Sequence, residues 1–137
     1  MQSLDISHVA SRTQKRMGWS NSYTTLILKE YLRYLTIAQT HPDIHLVPSE
    51  LVDEIWHDHI LHTKRYMADC QTLFGRYMHH LPETDPVAIA EGSKPDIKKT
   101  LELYVEVFGE AAPREIWGVA AGSQECTAGC KSGSGVW

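Results

Sequence analysis

Five of the eight histidines in this chain fall between positions 57 and 80, and the three on the expected helix form Trp56-His57-x-His59-x-x-His62. Imidazole nitrogens at this density point to metal ligation or to acid–base work near neutral pH. Helix geometry decides which of them cooperate. At about 100° per residue, His59 and His62 lie about 300° apart and share a face. His57 stands about 200° from His59 and points the other way. Its partner is Asp53, one turn earlier, just as Asp58 stands one turn before His62. Two half-sites follow: His59 with His62, and Asp53 with His57. A regular helix cannot offer both His57 and His59 to one metal ion.

His79 and His80 lie a few residues beyond the expected end of the same helix. A return loop brings one of them onto either half-site. Neighbours in extended chain point opposite ways, so one of the two is expected to ligate. Cys126-x-x-x-Cys130 adds two thiols in a Gly/Ser-rich tail, where cysteine serves no packing purpose. The candidate metal ligands are therefore Asp53, His57, His59, His62, His79, His80, Cys126 and Cys130. Imidazole and thiolate suit zinc, with copper and iron as competitors. Each feature also has a plainer reading. His59 and His62 serve equally as hydrogen-bonded core residues, Asp53 with His57 as a surface ion pair, and Cys70 as a small buried apolar group.

These residues need positioning elements, and the apolar spacing supplies helices throughout. A short helix is expected from Ser3 to Arg16, carrying Leu4, Ile6 and Val9. Ser20 or Ser22 caps the next, which runs to about Thr40 with Tyr23, Leu26, Ile27, Tyr31, Tyr34, Leu35 and Ala38 at i, i+3, i+4 spacing. His41-Pro42-Asp43 stops it. Ser49 caps a third helix from about Glu50 to Phe74, with Gly75 as its stop. One face holds Val52, Ile55, His59, His62, Tyr66, Cys70 and Leu73, and an adjacent stripe holds Trp56, Ile60, Met67 and Phe74. Arg76 to Pro95 reads as a long connection with a turn of helix at Val87 to Glu91. Asp96 caps a fourth helix bearing Leu101, Tyr104, Val105 and Phe108, and Pro113 opens a short one through Trp117. No strand-like alternation and no internal repeat occurs. The fold class is all-α: a bundle of four to five helices over residues 1–118, then a Gly/Ser/Cys-containing tail over 119–137.

Composition narrows the function. At 137 residues the chain is one domain's worth and buries a core without staples. Thirteen basic and 17 acidic side chains leave a net charge of −4, which argues against nucleic acid as partner. Full protonation of the eight His would carry the charge to +4. No run of 18 apolar residues spans a membrane. Met1 to Gly18 lacks the apolar core of a secretory signal, and three Cys are too few for a disulfide scaffold, so a cytoplasmic chain with reduced thiols is expected. The His-Glu-x-x-His, phosphate-loop, dinucleotide and nucleophile-elbow patterns are absent, and no catalytic residue is assigned.

The motifs in combination resemble a known family. Val47-Pro48-Ser49, Val52-Asp53, Trp56-His57-x-His59-x-Leu61, Tyr66, Asp69-Cys70 and Phe74-Gly75 look like the signature of the glycine-rich domain-containing protein-like family. His79-His80-x-Pro82 and the stretch from Tyr104 to Trp117 with Phe108-Gly109 extend the likeness over about residues 19–117. The resemblance implies a domain of unknown function found in bacteria, fungi and plants, linked in plants to stress and developmental responses. It carries no established activity. Its family-like positions are Asp53, Trp56, His57, His59, Tyr66, Cys70 and Gly75; His62 is not among them. The tail here is only modestly Gly-rich.

The expected function is metal binding, zinc first, through the His/Cys cluster. Two other readings stand beside it: a helical protein-interaction module that holds no metal, and a folded leader carrying a modifiable Cys-containing tail.

Overall fold

The computed structural model describes residues 4–80 and 97–118, which form six helices and, among those residues, no strand. They are α1 (Ser7–Met17), α2 (Asn21–Thr40), α3 (Glu50–Leu61), α4 (Thr63–Phe74), α5 (Ile97–Phe108) and α6 (Arg114–Trp117). The all-α expectation holds. Among the described residues no helix is long and apolar enough to cross a membrane. The turn expected at Val87 to Glu91 and the tail with Cys126, Cys130 and Trp137 lie outside the described residues.

Side-chain caps start the two central helices. Ser20 Oγ accepts the Tyr23 N–H at 3.1 Å, and Ser49 Oγ accepts the Val52 N–H at 3.1 Å, each satisfying an amide that has no partner within the helix. α1 begins at Ser7 rather than Ser3, because Asp5 Oδ1 takes both the amide and the hydroxyl of Ser7 and holds the chain before it in a turn.

α3 is the axis of the fold and packs against α1, α2, α4 and α6, while α5 lies on α2. Val52, Ile55 and Trp56 of α3 are buried among Ile27, Tyr31, Tyr34 and Leu35 of α2, with Val9, Leu101, Tyr104 and Trp117 closing the core. The buried face of α2 is centred on Ile27, Tyr31 and Tyr34 and includes Glu30, so Leu26 is left exposed, against expectation. Val105 of α5 is likewise exposed rather than on the packed face.

The helix expected from Glu50 to Phe74 is two helices. At His62 the backbone turns to φ −84° and ψ 71°, and the His62 N–H is shared between the carbonyls of Asp58 (3.3 Å) and His59 (3.1 Å). No proline or glycine causes this. His62 Nδ1 takes the Asp58 carbonyl at 2.8 Å, so a side chain has inserted itself into the i→i−4 ladder, a recognised cause of kinks. The break re-phases the faces. Tyr66, Cys70 and Leu73 stay buried, but Met67 is 59% exposed, where an unbroken helix would have kept it on the stripe of Trp56 and Ile60.

Candidate metal centre

Asp53 sits in the first turn of α3, where a carboxylate is favoured by the helix dipole, and only 2% of it is exposed. His57 follows one turn later on the same face. Its Nε2 stands 3.0 Å from Asp53 Oδ2. The third member comes from beyond α4. Gly75, at φ 71°, ends that helix in the left-handed conformation and turns the chain back. Tyr66 holds the returning segment: its hydroxyl accepts from Trp56 Nε1 at 2.9 Å and donates to the Met78 carbonyl at 2.6 Å. His80 then lies against the Trp56 ring, centroids 4.4 Å apart, with Nε2 at 2.6 Å from Asp53 Oδ1.

One buried carboxylate therefore receives an imidazole on each oxygen. The ligand atoms of Asp53, His57 and His80 all lie within 4.8 Å of one another. His80 is mostly buried, whereas the His57 side chain is 33% exposed and opens the cluster to solvent. Burial raises the Asp53 carboxyl above its usual pKa, and the hydrogen bond and charge of His80 with the charge of His57 work against that rise. A desolvated carboxylate facing two imidazoles is satisfied by ring N–H donors or by a cation that replaces those protons.

The remaining candidates are not brought to this cluster. His59 is buried, with Nδ1 2.7 Å from the Tyr31 hydroxyl and Nε2 2.8 Å from Asp69 Oδ2, so both ring nitrogens are engaged. Burial lowers its pKa below the ordinary histidine value, with Asp69 opposing. His62 sits at the helix break with its Nδ1 on a backbone carbonyl and its ring edge-on to His8 at 5.0 Å. The expected His59–His62 half-site does not form, because the break at His62 interrupts the face they were to share. His79 packs on Tyr77, centroids 4.8 Å apart, away from the cluster. Cys126 and Cys130 lie outside the described residues. Cys70 is a buried free thiol whose pKa burial pushes up, which suits its plainer reading as a core residue.

Asp58, expected beside the His62 ring, turns its carboxylate to α1 instead. It accepts from Thr13 Oγ1 at 2.7 Å, Arg12 Nε at 3.2 Å and Arg16 at 2.9 Å. Burial works to raise its pKa, but these bonds outweigh it and hold the carboxyl below its usual value. The i, i+4 spacing of Arg12 and Arg16 was the available signal for a basic stripe on α1. Nothing local marked Asp69 or Tyr31 as partners of His59.

No curated protein and no solved structure matches the chain. The matching sequence model is not that of the glycine-rich domain-containing proteins that the motifs resemble, which corrects that expectation. It covers residues 6–104, from the start of α1 into α5, and so takes in Asp53, His57 and His80; the chain belongs to the uncharacterised UCP032817-like family.

Proposed function

We propose that this domain binds a divalent transition-metal ion, zinc first, through Asp53, His57 and His80. The observation that carries the reading is convergence: two Nε2 atoms on the two oxygens of one buried carboxylate, from α3 and from the segment after α4. Two imidazoles and a carboxylate form a donor set used by zinc, and also by non-haem iron. Copper ranks behind both, since no soft ligand is part of the triad. Three protein ligands leave a position for water or for a thiolate of Cys126 or Cys130. Uptake of the ion displaces ring protons, so binding releases protons and is favoured by higher pH.

The test is a Zn²⁺ titration of tag-free protein stripped with chelator, repeated with Co²⁺ to read coordination from its visible spectrum. One equivalent is expected. His57→Ala and His80→Ala each weaken binding by about tenfold or more. A Cys126→Ser/Cys130→Ser variant reports whether the tail supplies the fourth ligand. Absence of stoichiometric uptake by the wild-type protein defeats the proposal.

A second reading has one observation in its favour. The 2.6 Å contact of His80 with Asp53 is a complete hydrogen bond as it stands, and His57 adds an ion-pair contact at 3.0 Å. The triad is then a clasp tying the segment after α4 to α3 in a helical protein-interaction module, and the same titration selects it when no ion is taken up.

A further inference from the structure

The outer side of His57 borders a cleft between α1 and α3 that the metal reading does not use. Arg12, Arg16, His57, Asp58, Ile60 and Leu61 line it; it is open to solvent and offers about 350 Å³, within the range of small-ligand sites. Its charges are unevenly matched. Asp58 is buried at the base and accepts from both arginines. Arg16 is further occupied by Glu54 Oε1 at 3.0 Å and by the Glu54 carbonyl at 3.2 Å. Arg12 engages Asp58 through Nε alone, and its side chain is 54% exposed. Among the described residues its two terminal amino groups carry no hydrogen bond, so the exposed guanidinium that lines the cleft keeps a planar pair of charged donors available. Beside it lie Ile60 and Leu61, the latter 62% exposed although it is a large aliphatic side chain at the end of a helix. The wall is mainly apolar, with one cation that has donors to spare.

We propose that this cleft binds a small organic anion with an aliphatic body, a monocarboxylate, its head on the Arg12 guanidinium and its chain along Ile60 and Leu61. The fork of Arg12 matches two carboxylate oxygens, and the aliphatic body covers Leu61. Inorganic phosphate satisfies only the first of these contacts.

Octanoate is the probe, titrated into chelator-treated, tag-free protein and followed by amide chemical shifts and calorimetry. Working without metal separates this test from the zinc titration, so failure of either proposal leaves the other standing. Saturable binding is expected, with shifts concentrated on α1 and the end of α3. Arg12→Gln and Leu61→Asp each weaken it by about tenfold or more. Both residues are exposed, and Asp58 keeps Arg16 and Thr13 when Arg12 is replaced, so these variants retain the fold, as circular dichroism will verify. Phosphate at the same concentration does not displace octanoate. The inference is overturned by failure to saturate at about 10 mM, by indifference to both substitutions, or by equal competition from phosphate.

Discussion

Histidines of identical chemistry meet opposite fates within three positions of α3. His57 keeps a third of its side chain in solvent and faces a carboxylate shared with His80, while His59 is sealed in the core with a tyrosine on one nitrogen and Asp69 on the other. Burial of an imidazole that bridges two polar partners makes a strut, since removing it strands both partners. His59→Phe is therefore expected to cost about 2–3 kcal/mol at pH 7.5, read from urea unfolding. The pH dependence has a definite sign. The folded pKa of His59 lies below the ordinary 6.5, so below pH 6.5 the unfolded chain takes up a proton that the folded one excludes. The stability that His59 contributes is full above that value and declines as the pH falls toward the lowered pKa. The gap between wild type and His59→Phe should narrow from pH 7.5 to 5.5; a gap that widens on acidification contradicts this account.

At the scale of elements, the candidate site depends on how α4 ends. Gly75 redirects the chain so that Tyr66 can hold Met78 and deliver His80 to Asp53. A Cβ at Gly75 meets nothing within 4 Å, so an alanine there is opposed by backbone conformation alone. Gly75→Ala is expected to cost about 1–2 kcal/mol in thermal unfolding, and Gly75→Asn less, because asparagine tolerates the left-handed region. Equal losses for the two would mean that something other than φ matters at this position. The cap at Ser49 was legible in the sequence, and that of α2 was narrowed to Ser20 or Ser22, because a cap is local chemistry within three residues. The break at His62 was not, because periodicity runs unbroken through it and only the competition of one ring for the Asp58 carbonyl ends α3.

Across the whole molecule, α2, α5 and α6 meet on a single buried carboxylate. Glu30 Oε1 accepts from the Tyr104 hydroxyl at 2.7 Å and from Trp117 Nε1 at 3.0 Å. Arg33 donates to Tyr104 at 2.7 Å and to Glu110 at 2.8 Å, closing the network at the surface. Burial and the bond to Glu30 push the Tyr104 phenol up to about 12, although Arg33 works against them. Glu30→Leu leaves two buried donors unpaired and is expected to cost about 2–5 kcal/mol, whereas Glu30→Gln keeps an acceptor and costs less. Denaturant titration with a shared slope checks both; a Glu30→Leu loss below about 1 kcal/mol removes this carboxylate from the account of how α5 and α6 are held. Glu30 stands amid an apolar stripe and gave no sign in the sequence, since its partners lie 74 and 87 residues away.

Sequence alone determined the all-α class, the span of α2, the cap of α3, and the opposition of His57 to His59, since each follows from 3.6-residue periodicity and chemistry within one turn. The meeting of Asp53 with His57 is of the same kind. Tertiary structure decided the rest: that His80 rather than His79 reaches Asp53, that Tyr31 and Asp69 occupy His59, and that Asp58 turns to α1. The physical reason is reach. Helical geometry constrains neighbours three or four positions apart, while these partners are 10 to 46 residues distant and are selected by how the helices pack.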